Sequence, residues 1–181
     1  MIKDKNEESY ERISEKVNEE EVSVDNLSFF EAFYVQKFLD NIEIAKKAFG
    51  VTNENSQLFE NISKLKKSII FNKNNFRAIK YNRKVVGFIQ LFFENHEEVK
   101  IGIVIGEKRY WGRNIGSIAL KKLIKDLFET NGNLKRVLLD TAVFNISAKR
   151  CFEKVGFKVY KEENGKVFMY LDRESFENNG G

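Results

Sequence analysis

Between Gly106 and Leu123 the chain reads GEKRYWGRNIGSIALKKL. Two glycines, Gly112 and Gly116, bracket Arg113, Asn114 and Ile115, directly after the apolar run VKIGIVIG and before a helix-period pattern. A strand that turns into a helix leaves the helix's first N–H groups unpaired. The helix macrodipole adds roughly half a positive charge there, and the result is a ready site for phosphate. The same residues also make an ordinary tight turn, and the loop alone leaves both readings open. Downstream, Asp140 stands in the apolar run RVLLDTAVFN, with Asn145 five residues later. A carboxylate in such a strand needs a partner or a function. It can face an amine, or it can pair with Arg136, Lys149 or another local cation. Asn145 can cap a helix or hydrogen-bond a ligand, and the two roles are compatible.

Other chemistries find little support. A P-loop would need Gly-Lys-Ser/Thr after its spaced glycine, and none is present. A dinucleotide fingerprint wants three glycines after the first strand of a βαβ unit, whereas this loop follows the third strand of a meander. One His (His96) and one Cys (Cys151) in the whole chain exclude a His/Cys zinc cluster, and no metal is expected. His96 falls in a hairpin turn, FFENHEEVK, a poor place for a catalytic imidazole. Cys151 falls on the inward stripe of a helix with no His nearby in sequence, so core packing is its expected role. The net charge of +4 is spread among 27 acidic residues, with no block of five like charges. A nucleic-acid partner would want a concentrated basic face and is not expected. No apolar run approaches a membrane span and the N-terminus is too charged for a signal peptide, so a cytoplasmic location is expected.

The elements that must position these residues follow from periodicity. At 181 residues with 42% apolar content and 17 Phe, the chain reads as one globular domain, residues 21–175. Residues 1–20 form a polar extension and 176–181 a tail. EEVSV predicts a first short strand. The spacing of Phe30, Phe33, Tyr34, Phe38, Ile42 and Ala45 predicts a helix capped by Ser28. NSQLFENISKLKKSII predicts a second, with Leu58, Ile62 and Leu65 on one stripe. FRAIKY, KVVGFIQLFF and EVKIGIVI then read as three strands of a meander, with a turn at Asn82-Arg83. After the loop, Leu120, Leu123, Ile124, Leu127 and Phe128 stripe a long helix. A buried strand, a helix capped by Asn145 and stopped at Gly156, and a hairpin turning at Asn164-Gly165 complete the chain.

Taken together, IGIVIGEKRYWGRNIGSIAL resembles motif A, and NISAKRCFEKVGF motif B, of the GCN5-related N-acetyltransferases (GNAT family). The texture is similar to the bacterial ribosomal-protein N-terminal and polyamine acetyltransferases. The resemblance covers roughly residues 76–171. It implies an α+β (α/β) fold with a central, mostly antiparallel mixed sheet, splayed between strands 4 and 5 and flanked by helices. It also implies acetyl-CoA as co-substrate. In that reading Trp111, Gly112, Arg113, Asn114, Ile115, Gly116 and Ser117 cradle the pyrophosphate. The backbone of Ile103, Val104 and Ile105 meets the pantetheine arm and acetyl group, Asn145 bonds near the arm, and Phe152 lies beside it. Asp140 is spaced from Asn145 as the Asp of aminoglycoside 6′-acetyltransferases is. Four positions depart from the family pattern. Trp111 replaces the usual Gln or Arg, and Asn114 a Gly. Phe152 replaces the Tyr that protonates the CoA thiolate, and Lys100 a frequent Glu.

The resemblance implies an enzyme that moves an acetyl group to a primary amine by direct attack, without a covalent intermediate. A protein N-terminus, a polyamine or an amino sugar would be the acceptor, with Asp140 as proton acceptor. A lysine-like amine of pKa about 10.4 costs roughly 4.6 kcal/mol to deprotonate at pH 7, an α-amine only roughly 1–1.4. A sparse acid/base complement therefore suits the weaker base. The alternative is a degenerate member that binds acyl-CoA as a sensor or assembly module. The acceptor's identity and a homodimer are left open.

Overall fold

The computed structural model describes residues 17–178, so most of the expected N-terminal extension and residues 179–181 lie outside the described residues. A short 3-10 turn, Glu19–Glu21, leads into β1, Val22–Asn26. Three helices follow: α1, Phe29–Val35, α2, Ile42–Phe49, and α3, Ser56–Phe71. The meander is β2, Phe76–Tyr81, β3, Lys84–Phe93, and β4, Glu98–Ile105. Then come α4, Ile115–Thr130, β5, Arg136–Ala142, and α5, Ile146–Val155. The hairpin β6, Lys158–Glu163, and β7, Lys166–Asp172, ends in a short α6, Arg173–Asn178. Phe176 of α6 is buried and packs on Phe128, so packed structure extends past residue 175.

The predicted strands and turns are present because their signals are local. Asn82 and Arg83 both take positive φ (49° and 64°), as do Asn164 and Gly165 (51° and 74°), the backbone of a two-residue type I′ hairpin turn. Ser28 makes a full capping box with Glu31.

The first predicted helix is corrected by the structure. It breaks into α1, a 3-10 stretch at Gln36–Asp40, and α2. Asn41 causes the restart, because its side chain accepts from the amides of Glu43 and Ile44 and caps α2. The break resets the helical phase. Ala32, Val35, Phe38, Leu39, Ile44 and Ala45 are buried, whereas Phe30 (84% exposed), Phe33 and Tyr34 face outward.

The seven strands form one sheet in the order β1-β2-β3-β4-β5-β7-β6. Every neighbouring pair is antiparallel except β4–β5, which runs parallel. That parallel pairing covers only Glu98–Lys100 against Arg136–Leu138. Arg136 clamps this closed end, bonding Glu98 at 3.2 Å and Asp172 at 2.9 Å. Beyond it β4 stays with β3 to Ile105 while β5 stays with β7 to Ala142, so the two strands part. The splay expected between strands 4 and 5 is thus present.

One apolar layer packs the sheet against α4, α5 and α6 through residues such as Leu120, Leu123, Ile124, Phe152 and Leu139. The other packs it against α1, α2 and α3 through Val35, Leu39, Ile44, Leu58 and Phe88. Lys122 of α4 donates to the carbonyls of Glu19 and Val22, tying that helix to the sheet's first strand. Among the described residues, no helix is long and apolar enough to cross a membrane.

Candidate active site

The loop from β4 to α4 is built around two left-handed residues, Gly112 (φ 73°) and Asn114 (φ 68°). Asn114 holds the N-cap position without any side-chain cap bond. Its tolerance of left-handed backbone is what the position uses. Among the described residues, the amides of Gly112, Asn114, Ile115, Gly116 and Ser117 have no protein acceptor. Five such donors at the start of a 16-residue helix make an anion cradle. A Cβ built on Gly112 would meet nothing within 4 Å, so the backbone is open to approach.

Two residues expected in this cradle are placed differently. The Trp111 amide donates to Lys108 O and the Arg113 amide to Tyr110 O, both within the preceding turn. The Arg113 side chain lies over the Tyr81 ring, 5.7 Å from its centroid, and among the described residues its buried Nε has no partner. The Trp111 indole folds back and donates to Ile105 O at 3.0 Å, with Lys47 Nζ 3.7 Å over the ring centroid. Trp111 still lines the cleft together with the loop residues.

The strand beside the loop offers a free edge. Gly106 N donates to Val86 O at 2.8 Å, which sets the phase of the β3–β4 ladder. Alternate residues of an antiparallel pair turn toward the partner. Val104 therefore directs its backbone at Phe88, while Ile103 and Ile105 direct theirs to the other side. β5 has already left β4 at Lys100, so that side is the open splay. Of the three residues expected to meet an extended ligand arm, Ile103 and Ile105 face it, the Ile105 carbonyl already accepting from the Trp111 indole, and Val104 does not.

Loop, free edge and splay share one cleft of about 660 Å³, within the range of small-molecule sites. Asn145 lines it as the cap of α5. Its Oδ1 accepts from Ala148 N and Ser147 Oγ, leaving the side-chain NH2 as the donor for the cleft. Phe152 lines the same wall, 4% exposed and edge-on to Phe157, with no proton to give. Cys151 also lies there, 3.4 Å from Ser117 Oγ. Burial pushes its thiol above the ordinary value, which disfavours the thiolate a nucleophile needs. His96 is exposed in the β3–β4 turn.

Asp140 reaches the cleft from β5, but its carboxylate is engaged. Lys100 Nζ of β4 lies 2.5 Å from Oδ1, and Lys166 Nζ of β7 lies 2.8 Å from Oδ2. Burial works to raise its pKa. The hydrogen bonds and charges of the two lysines outweigh that and hold it below the ordinary carboxylate value. The local cations considered in sequence are placed elsewhere: Arg136 bonds Glu98 and Asp172, and Lys149 is not Asp140's partner.

The sequence reading missed Lys166, Lys47 and the α2 wall of the cleft formed by Ile44, Lys47 and Phe49. The alternation of β4 and β5 could have placed Lys100 near Asp140. Nothing local points to Lys166, which arrives from the far end of the hairpin.

Known proteins agree with this architecture. A profile of the acetyltransferase (GNAT) family matches residues 38–157. No curated protein matches the sequence significantly. Among solved structures, aminoglycoside acetyltransferase AAC(6')-Ib in complex with ribostamycin and coenzyme A is similar. Its TM-score is 0.71 at 15% identity, over 88% of this chain and 98% of that one. The spermidine N-acetyltransferase from Vibrio cholerae, with CoA and spermine, gives 0.65 at 18% identity over 88% and 99%. An acetyltransferase from Bacillus anthracis gives 0.68 at 16% over 87% and 98%. The family profile spans well over half of the sequence and contains both the anion loop and the splayed strands: the chain belongs to the acetyltransferase (GNAT) family.

Proposed function

We propose that this acetyltransferase moves the acetyl group of acetyl-CoA to a primary amine by direct attack. The reading is carried by one observation: five unpaired amides at the start of α4 and the free edge of β4 open into the same cleft. The first set suits a pyrophosphate. The second suits the amide groups of an extended pantetheine arm, which would add to β4 as a further strand does. Together they set the thioester near the splay, between Phe152 and Asp140.

The amine nitrogen forms a bond to the thioester carbonyl carbon, the C–S bond breaks, and the ammonium proton goes to solvent or to the departing sulfur. With Phe152 unable to protonate it, the sulfur leaves without a proton from that side chain. Its free thiol has a pKa near 8.5, which makes it a tolerable leaving group. Cys151, buried and with no imidazole beside it, fits a packing role better than a covalent one. Asp140, with both oxygens engaged by ammonium groups, is a weaker proton acceptor than a free carboxylate. It suits orienting charge at the acceptor end. A cytoplasmic location accords with the single unpaired cysteine.

Thiol release from acetyl-CoA, measured against a panel of primary amines, tests the reading. Amine-dependent release matched by N-acetylated product supports it. A folded protein that binds CoA and acetylates no amine would overturn it.

A further inference from the structure

The cleft has one acidic and several basic ends, and their placement bears on the acceptor. Among the described residues, the charged side chains lining it are Lys47, Arg150, Lys154 and Lys166 against Asp140. Lys154 acts electrostatically on Cys151, which touches Ser117 in the first turn of α4, so it lies on the side suited to phosphates. Lys166 and Lys100 lie elsewhere, around Asp140.

That group is a built arrangement. Asp140 is 13% exposed, while Lys100 and Lys166 are 37% and 46% exposed. The carboxylate is therefore covered by its partners, and an arriving molecule meets the Lys166 ammonium on the cleft wall, while Lys100 holds the other carboxylate oxygen and the three groups together carry a net positive charge. Strand alternation puts Gly102 on the same face of β4 as Lys100. A Cβ built on Gly102 meets nothing within 4 Å, so the space beside the group is vacant of protein. A polycation entering that space is repelled by both lysines. A molecule carrying a carboxylate close to its amine is matched by them. Its anion can replace water on Lys166 and Lys100 while its amine lies next to Asp140.

We infer that the acceptor is an amine bearing a carboxylate within a few bonds, as a free amino acid or an acidic N-terminal dipeptide does, recognised by Lys100 and Lys166. The inference rests on the acetyl-transfer reading above and names the substrate class of that same site. Lys100 and Lys166 then act as specificity-determining residues, and polyamines and amino sugars are poor acceptors.

The test compares free amino acids and dipeptides with N-terminal Asp or Glu, their carboxamide counterparts, and spermine, with rates referred to the free-base concentration. In the wild type, kcat/KM for the best carboxylate-bearing amine should exceed that of its carboxamide at least tenfold. Lys166→Gln and Lys100→Gln should each remove most of that ratio, chiefly through a raised KM for the carboxylate-bearing amine. Lys166→Glu should move the preference toward spermine. Equal or better use of carboxamides or spermine by the wild type would overturn the inference and leave acetyl transfer standing. So would a Lys166→Gln variant that slows both classes alike. Absence of transfer to any amine by protein that binds CoA would instead overturn acetyl transfer itself, and this inference with it.

Discussion

Asn114 gives the most direct access to the anion loop. Its backbone is left-handed (φ 68°, ψ 1°), and its side chain makes no capping bond. A left-handed conformation costs an ordinary L-residue roughly 1–2 kcal/mol, less for Asn and almost nothing for Gly. Asn114→Gly relieves that residual strain but gives the unfolded chain more freedom, at about 0.5–1 kcal/mol. The two nearly cancel, so the melting temperature should stay within about 2 °C. Asn114→Val carries the full strain of about 1–2 kcal/mol, a drop of roughly 2–8 °C for a domain of this size. The cradle geometry is then less populated in the free protein, and apparent affinity falls by that fraction. Titration calorimetry should show CoA binding unchanged or tighter in Asn114→Gly, and roughly 5–30-fold weaker in Asn114→Val. A tenfold loss in Asn114→Gly would refute the reasoning, because it would show that the side chain itself binds the ligand. An unaltered Asn114→Val would refute it too, by removing the backbone as the reason for Asn.

Three further outcomes follow from single contacts. A Cβ on Gly106 would sit 2.0 Å from the Phe38 ring. Gly106→Ala should therefore destabilise by about 1–3 kcal/mol through displacement of that ring, and Phe38→Leu in the same chain should restore part of the loss in thermal melts. Asp140 has a folded pKa below its unfolded value: burial raises it, and the bonds and charges of Lys100 and Lys166 lower it further than that. Its stabilising contribution is present above the unfolded value of about 3.9 and is lost as pH falls through the folded one. Asp140→Asn should therefore melt lower than wild type near pH 7, by about 1–3 kcal/mol, with the gap closing below about pH 4; a gap independent of pH would show that the charge is not what Asp140 contributes. Phe152→Tyr places a phenol on the cleft wall near the departing sulfur and should raise turnover, at most by the lower end of the ~10²–10⁴-fold range for general acid catalysis; equal turnover in a folded variant would mean that thiolate departure does not limit the rate.

Much of this protein is written in short windows of its sequence. The type I′ turns at Asn82-Arg83 and Asn164-Gly165, the caps at Ser28 and Asn145, and the buried stripe of α4 each depend on a few neighbouring residues. So does the glycine-bearing loop, whose left-handed positions and unpaired amides are local properties of the backbone. These sufficed for the meander, the geometry of the glycine-bearing loop and the family resemblance. Tertiary structure decided the rest. The helix predicted from Ser28 onward ended at Val35 and restarted after Asn41, whose side chain caps the second helix. Which of its aromatic residues were buried then depended on the phase of two shorter helices against β3 and β4. Asp140 acquired Lys100 and Lys166 from two other strands, and Arg113 turned away to Tyr81. An ion pair across a sheet depends on register and twist between segments 26 to 40 residues apart in the chain. No local window carries that information, and so the Asp140 group, proposed above as the acceptor end, could be read only once the strands were laid side by side.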